Sequence, residues 1–104
     1  MVTQDSAVFH AIADPTRRAI LDRLRDGGQA VNEIAGRFDV SRPAISKHLR
    51  VLREARLVVE QRAGRARVYE LRPRGLQRVA GWVEGYRLLW QNNLDALKRY
   101  LEDT

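Results

Sequence analysis

Hydroxyl and cationic side chains recur over residues 41–50, at a spacing that would place them along one side of a helix. They are Ser41, Arg42, Ser46, Lys47 and Arg50. Arginine and lysine pair with phosphate oxygens and with the acceptor edge of guanine, and serine can hydrogen-bond to either partner. This combination predicts contact with nucleic acid. Considered alone, the segment is also compatible with the solvated basic face of an ordinary amphipathic helix.

The element that must position these side chains is a helix beginning after Ser41. The Ser41 hydroxyl can accept a hydrogen bond from a free amide of the first turn, and Pro43 is tolerated in that turn. Ile45, Leu49 and Leu52 follow one another at helical spacing and predict a single buried stripe. A helix that buries this stripe and presents Arg, Lys and Ser outward has the shape and charge for a DNA major groove.

The distribution of charge supports the same interpretation. The 104 residues carry a formal net charge of +6, and residues 41–74 alone hold ten cations against three acids. We therefore expect the middle of the chain to form a basic, DNA-facing surface. A chain of this length predicts one domain, and it has neither an apolar span long enough for a bilayer nor a signal-peptide pattern, so the expected location is the cytoplasm.

Two histidines and no cysteines make a metal site improbable, so we predict no metal and no cofactor. His10 and His48 lie on different predicted helices, and His48 borders the stripe of Ile45 and Leu52. We interpret His48 as a packing or phosphate-positioning residue. No nucleophile–base pair or phosphate loop is evident, since Gly27-Gly28 ends a helix and lacks a following Lys-Ser/Thr. The chain is therefore not expected to be an enzyme.

Three shorter helices are predicted before residue 41. The first covers Ser6–Ala13, the second starts at the N-cap Asp14 and ends at Gly27-Gly28, and the third covers Val31–Phe38. Ala35, Val40 and Ile45 are spaced by five, and we expect all three at a close crossing of the last two helices. For Arg17 the sequence leaves two roles open, a phosphate contact or a salt bridge to Asp14.

A hairpin is predicted after the basic helix. Residues 57–62 and 67–71 favour strands, and residues 63–66 join them through a glycine. Its tip carries Arg62, Arg65 and Arg67, which would suit a wing that contacts a flanking phosphate or the minor groove. The alternative is a hairpin that is merely solvated.

Residues 76–101 form one long helical pattern with more apolar surface than a small domain can cover. An unpaired apolar face of this kind most often indicates self-association. Trp82 and Trp90 are interpreted as packing residues, with a ligand pocket as the alternative. The predicted dimer interface comprises Phe9, Ile12, Val83, Tyr86, Trp90, Leu94, Leu97 and Leu101.

The sequence between Phe9 and Pro73 resembles the ArsR family of bacterial repressors. Residues 13–21 read ADPTRRAIL and residues 41–58 read SRPAISKHLRVLREARLV, which are specific in combination. The resemblance implies a mainly α winged helix-turn-helix, with four helices, a small β-hairpin and a fifth helix. It also implies a homodimer built from the first and last helices, and repression by operator binding.

The sequence departs from the metal-sensing members of that family. Ala30-Val31-Asn32 stands where they carry Cys-x-Cys, and the last helix has no histidine. Residues 94–101 (LDALKRYL) resemble the tails of metal-independent autorepressors of the SdpR type. We therefore expect one domain over residues 1–104, with 76–101 as the dimerisation helix, that represses from an inverted-repeat operator.

Two other functions stay open at this point, and so does the identity of the signal. The chain could be a protein-interaction module without specific DNA binding, although its basic middle segment argues against that. It could also be a metal-responsive repressor with a non-thiolate site. An inducer or a sequestering protein is a further possible partner. The residues expected to contact DNA are Ser41, Arg42, Pro43, Ser46, Lys47, His48, Arg50, Arg62, Arg65 and Arg67.

Overall fold

Five α-helices and a small antiparallel sheet build residues 3–103, the part of the chain that the computed structural model describes. Two short 3₁₀ turns, Leu24–Asp26 and Pro73–Leu76, join them. In chain order the elements are α1 (Gln4–Ile12), α2 (Pro15–Arg23), β1 (Gln29–Ala30), α3 (Val31–Ala35), α4 (Arg42–Glu54), β2 (Val58–Ala63), β3 (Ala66–Leu71) and α5 (Gln77–Glu102).

The core forms around α4. Its predicted stripe of Ile45, Leu49 and Leu52 is completely buried. Val8 of α1 and Ile20 of α2 belong to the same cluster, together with residues of α3, β2 and β3. Because contacts from before and after it in the chain converge on this stripe, α4 has a fixed position and its opposite face is left to solvent.

Side-chain caps start the helices where polar residues allow it. Ser41 Oγ accepts from the Ala44 amide at 3.2 Å, and Asp14 Oδ2 accepts from the Arg17 amide at 3.0 Å, so both predicted N-caps are confirmed. Thr3 Oγ1 caps α1 through the Ser6 amide at 3.1 Å, which moves the helix start two residues ahead of the predicted Ser6.

The end of α4 has an unusual residue in a familiar turn. The Leu57 amide donates to the Leu52 carbonyl and the Arg56 amide to the Arg53 carbonyl, both at 3.0 Å, which closes a Schellman motif. The motif needs a left-handed residue, and here Arg56 occupies that position with φ of 63°. Glycine adopts this conformation freely, whereas other L-residues pay about 1–2 kcal/mol.

The prediction for α3 and the following turn was partly wrong. The helix ends at Ala35 and not at Phe38, because the chain tightens there into i→i+3 bonds from Arg37 to Ile34 and from Phe38 to Ala35. Val40 consequently sits in the surface turn with 40% of its area exposed, not in the predicted helix crossing. Phe38 does stay half-buried against the core.

The sheet has three strands, one more than the predicted hairpin. Its order is β1-β3-β2, and Gln29 and Ala30 pair with Tyr69 and Val68 of β3. A two-residue strand is too short to show alternation, so no local pattern could predict it. The hairpin turn is also tighter than expected, because β2 and β3 pair as far as Ala63 and Ala66 and leave two turn residues.

The last helix, α5, contrasts with the rest of the molecule because none of its residues is buried. Its first turns lie against α1 and the core, where Val79 and Val83 are half-buried. The Phe9 and Trp82 rings meet edge to face at 5.6 Å, and Trp82 meets Tyr86 at 5.2 Å. Beyond Val83 every described residue of the helix is exposed.

Candidate nucleic-acid interface

The solvent-facing side of α4 carries most of the predicted contact residues. Six of them are exposed on the helix or at its N-cap, namely Ser41, Arg42, Pro43, Ser46, Lys47 and Arg50. Ile45 and Leu49 hold the opposite side in the core with no exposed area. The helix therefore presents its cations and hydroxyls from a rigidly packed base.

His48 differs from these neighbours because its ring is half-buried at the junction of α1 and α2. Its Nδ1 lies 3.2 Å from Nη1 of Arg17 and 3.9 Å from Oδ2 of Asp14. The hydrogen bond from the Arg17 amide is the main reason why the pKa of Asp14 lies below its usual value, and His48 lowers it further. This geometry supports the packing and positioning interpretation of His48.

Of the two roles considered for Arg17, the salt bridge to Asp14 is not formed. Its Nε donates to the Ala11 carbonyl at 2.7 Å, and its Nη2 donates to the His10 carbonyl at 3.1 Å. Arg18 similarly donates to the carbonyls of Ile12 and Ala13. The two guanidinium groups therefore satisfy the carbonyls at the end of α1, and neither forms an ion pair with Asp14.

The hairpin brings its arginines to the side of the sheet that faces α4. Arg62 and Arg67 are directly opposite each other in the register, and Arg65 lies in the turn. We call the space between α4 and this face the α4–hairpin cleft. Two cavities of about 230 and 280 Å³ form it, and their basic lining residues are Arg42, Arg50, Arg53, Arg65 and Arg67.

Like charges opposite each other on neighbouring strands destabilise a hairpin. Arg62 and Arg67 are such a pair. An anion bound between the hairpin and α4 would remove this repulsion. Ser46 also lines the cleft, so a hydroxyl accompanies the cations. Together these groups can bind phosphate oxygens and reach base edges.

A carboxylate that was not predicted from the sequence connects α4 to the hairpin across the cleft. Glu60 of β2 accepts from Arg53 Nη1 at 2.7 Å and from the Tyr69 hydroxyl at 3.1 Å, and it lies 3.4 Å from Arg67 Nε. Burial, followed by the hydrogen bond to Glu60, raises the pKa of Tyr69. Arg53, Glu60 and Tyr69 come together only through the strand register, so no spacing in the sequence could identify them.

The prediction of a single basic surface was too simple. Arg56, Arg72 and Arg74 were counted among the ten cations of residues 41–74, but they line a separate cavity at the base of the hairpin. The two strands of the hairpin pair at six positions and are joined by a two-residue turn. The base of the hairpin is therefore roughly 20 Å from its tip. Five of the other seven cations line the α4–hairpin cleft.

The residues predicted to form a dimer interface divide into two groups. Phe9, Ile12 and Val83 are half-buried where α1 meets α5 and the core. The other five are 45–63% exposed along α5, namely Tyr86, Trp90, Leu94, Leu97 and Leu101. Trp82 and Trp90 line neither the α4–hairpin cleft nor the cavity at the base of the hairpin.

Within residues 3–103 no three His, Asp or Glu side chains come close enough together to hold a metal ion. Nor does any helix in the same range combine the length and apolar character needed to cross a membrane.

Comparison with known proteins agrees with this geometry. A family model described as a helix-turn-helix domain matches residues 12–61. The transcriptional repressor SdpR of Bacillus subtilis is 42% identical over 76 residues, which cover 73% of this chain and 84% of SdpR. The regulator Rv2034 of Mycobacterium tuberculosis is 56% identical over 68 residues, 65% of this chain. The match spans 64% of Rv2034, slightly less than two thirds of its length.

Solved structures show the same architecture. The crystal structure of the ArsR family transcriptional regulator RHA00566 matches with a TM-score of 0.76 and 34% identity, over 86% of this chain and 98% of that one. The solution structure of the homodimeric winged helix-turn-helix DNA-binding domain of Mb0332 from Mycobacterium bovis matches with a TM-score of 0.67 and 28% identity, over 81% of this chain and 78% of that domain.

The fold and the basic cleft define a winged helix-turn-helix protein of the class that binds DNA. Within that class, the chain belongs to the ArsR family of transcriptional regulators. Both the predicted fold and the predicted family are confirmed. A DNA-binding regulator, not an enzyme, is the function that this family membership supports.

Proposed function

We propose that this protein is a metal-independent repressor that binds an inverted-repeat operator as a homodimer. The observation that carries the proposal is the α4–hairpin cleft, where five arginines from two elements face the same space. Glu60 is the one carboxylate among the residues that line this cleft, and it already forms ion pairs with Arg53 and Arg67. A polyanion is therefore the partner that its charge favours.

The residues of the cleft divide by the DNA groups that they can reach. Ser46, Lys47 and Arg50 lie on the exposed side of α4 and are proposed to read base edges in the major groove. Ser41, Arg42 and Pro43 start the helix and are proposed to lie against the DNA backbone, where helix N-termini favour phosphate. Arg62, Arg65 and Arg67 are proposed to contact flanking DNA, and His48 to position α4 from behind.

The homodimer proposal depends on α5. Its side chains Tyr86, Trp90, Leu94 and Leu97 are 45–63% exposed, and no other element within residues 3–103 covers them. The related Mb0332 domain is homodimeric, which supports the same arrangement here. A two-fold axis between α1 and α5 of two copies makes an isologous interface. The two α4 helices would then enter successive major grooves, with half-site centres about 10–10.5 base pairs apart.

The test begins with selection of bound fragments from random duplex DNA, followed by affinity measurements over a range of salt. We expect an inverted repeat and a strong decrease of affinity with salt, since each neutralised phosphate releases about one counterion. Arg50→Ala should weaken specific binding by about 1–3 kcal/mol and affect non-specific binding less. Arg65→Ala should weaken both alike and reduce the salt slope.

Arg99→Ala is the matched control, because it removes the same charge from the far end of α5 and should leave both affinities unchanged. An affinity that does not depend on salt, or equal effects of Arg50→Ala and Arg99→Ala, would contradict the proposal. Calorimetric titration with Zn²⁺ tests its metal-independent part. One tight zinc site per subunit would favour a metal-responsive repressor instead.

The place of action and the signal follow from the same proposal. A repressor must reach the chromosome, so we propose that the protein acts in the cytoplasm. Release from the operator would require an inducer or a sequestering protein, and the selection experiment repeated in cell extract would reveal a factor that lowers operator occupancy.

A further inference from the structure

A second basic cavity lies outside the α4–hairpin cleft. It has a volume of about 670 Å³ and lies between the base of the hairpin, the end of α4 and the first turns of α1 and α5. We call it the hairpin-base cavity. Apolar side chains from three elements line it, namely Val8, Val59 and Leu71, and four arginines surround them, namely Arg56, Arg72, Arg74 and Arg78.

The two basic regions lie on opposite faces of the sheet. Successive strand residues point to opposite faces. Glu60 and Tyr69 line the α4–hairpin cleft, whereas their neighbours Val59, Gln61 and Glu70 line the hairpin-base cavity. Leu71 is on the face of Tyr69, but it ends β3 and borders the hairpin-base cavity there. DNA held in the cleft would therefore leave this cavity on the other side of the hairpin.

The charges of the cavity are not balanced internally. Arg78 forms an ion pair with Asp5, but within residues 3–103 Arg56, Arg72 and Arg74 have no carboxylate within ion-pair distance. Glu70 is the one carboxylate among the lining residues, against four guanidinium groups. Because Asp5 neutralises Arg78 and Glu70 offsets one further arginine, this leaves an excess of two positive charges around a partly apolar surface.

Around the hairpin-base cavity the backbone segments pack closely, and Arg56 has a strained conformation. The Gln4 side-chain amide donates to the Ala55 carbonyl at 2.7 Å, and the Arg72 amide donates to the Leu57 carbonyl at 2.8 Å. A Cβ on Gly75 would lie 2.5 Å from the Arg56 carbonyl oxygen, so only glycine permits this approach. Arg56 itself holds a left-handed conformation that glycine would adopt without cost. Strain of this kind concentrates at functional sites.

We propose that the hairpin-base cavity binds a small organic phosphate. Guanidinium groups pair with phosphate oxygens through two parallel hydrogen bonds, and an excess of two positive charges favours a dianion over a monoanion. The half-buried Val59 and Leu71 provide apolar surface that suits a hydrocarbon or aromatic portion of the same molecule. This inference goes beyond the proposed function and does not depend on the operator or on the dimer.

Phenyl phosphate is a suitable probe, because it joins a dianion to an apolar ring. We expect it to bind the full chain in a calorimetric titration and to shift the backbone amide signals of Arg56, Arg72 and Gly75 in NMR spectra. Inorganic phosphate lacks the ring and phenol lacks the charge, so both should bind at least about tenfold more weakly. Inorganic phosphate that binds as tightly as phenyl phosphate would contradict the organic part of the proposal.

Arg56→Gly is the most informative variant, because glycine relieves the left-handed strain and the protein should unfold at an equal or higher temperature. The same variant should bind phenyl phosphate about tenfold more weakly, since it loses one charge-assisted contact. Arg65→Gly, at the tip of the hairpin, is the matched control and should leave probe affinity within about twofold. Arg72→Ala should also weaken probe binding. It is a second test because Arg72 supports the fold through its backbone amide, which donates to Leu57 and is retained in the variant.

Competition with duplex DNA distinguishes probe binding at this site from non-specific anion binding in the α4–hairpin cleft. The probe should still bind to protein saturated with duplex DNA at low salt. Displacement of the probe by DNA would overturn the proposal, and so would unchanged affinity in both Arg56→Gly and Arg72→Ala. If the protein binds the probe as described but fails to bind DNA, the proposed function is wrong and this inference stands.

Discussion

Helices α4 and α5 are both amphipathic, yet only α4 finds cover for its apolar side within its own chain. Ile45, Leu49 and Leu52 have no exposed area, whereas Trp90 and Leu97 on α5 are 56% and 54% exposed. The α4 stripe is met by residues from before and after it in the chain, while α5 meets only α1 and the neighbouring core near its start.

Because of this difference, the contributions of the two helices to stability should depend differently on protein concentration. The packing of α4 is intramolecular, so its contribution to the free energy of unfolding should not change with protein concentration. In the proposed homodimer a second copy covers the apolar surface of α5, so the contribution of α5 to stability should rise with concentration by mass action.

Leu97→Asp should have the largest effect, because it would place an unpaired charge in the proposed dimer interface at a cost of several kcal/mol. We expect folded monomers in sedimentation and loss of operator binding, although Leu97 does not face DNA. Leu88→Asp is the matched control: Leu88 is also exposed, but it lies two residues before Trp90 and so about 200° around the helix. If the unmodified protein is monomeric at micromolar concentration, the dimer proposal is wrong.

Leu49→Ala and Leu97→Ala compare the two helices with the same chemical change. Leu49→Ala creates a cavity in the core and should lower the free energy of unfolding by about 2–5 kcal/mol at every protein concentration. Leu97→Ala should instead change the concentration dependence of the thermal midpoint. Denaturation at two protein concentrations measures both, and equal concentration dependence in the two variants would remove the distinction between α4 and α5.

Glu60→Gln tests the ion pairs that connect α4 to the hairpin. Within residues 3–103, α5 forms no ion pair with the hairpin. The variant loses the charge that holds Arg53 and Arg67, so we expect weaker DNA binding through a less ordered hairpin and a lower pKa for Tyr69. NMR titration of the Tyr69 ring measures that pKa. Because the folded-state pKa of Tyr69 is raised, its contribution to stability is present below pH 10.0 and is lost as the pH rises above it. A pKa unchanged in Glu60→Gln would show that burial alone raises it.

Ser41→Ala should have the smallest effect. Ser41 caps α4 through the Ala44 amide, whereas α5 has no side-chain cap at Leu76. Loss of the cap should lower the free energy of unfolding by about 1 kcal/mol, as measured by urea denaturation. Ser41→Asn should retain most of that stability, because asparagine is an equally good cap. A similar loss in both variants would mean that the hydroxyl acts through something other than capping.

Local chemistry in the sequence was sufficient for the elements that carry the DNA-facing surface. Ser41 and Asp14 start their helices as predicted, since a cap depends on residues three positions apart. The stripe of Ile45, Leu49 and Leu52 likewise predicted both the helix and its buried side. The hairpin and the long last helix were predicted to within a few residues for the same reason, because turn chemistry and periodicity are local.

Other features depended on residues far apart in the chain, and the sequence alone could not provide them. Strand β1 exists because Gln29 and Ala30 meet β3, and Val40 is exposed because α3 ends early. Arg17 turns toward the carbonyls of α1, where a salt bridge or a phosphate contact had been considered.

The largest difference between sequence and structure concerns the arginines of residues 41–74. The sequence determined their number and hence the chain's affinity for anions. Only the tertiary structure decided that Arg67 faces α4 while Arg72 and Arg56 lie around a cavity on the other side of the hairpin. The physical reason is that strand register and the left-handed turn at Arg56 set the direction of each side chain, and both arise from contacts between distant segments.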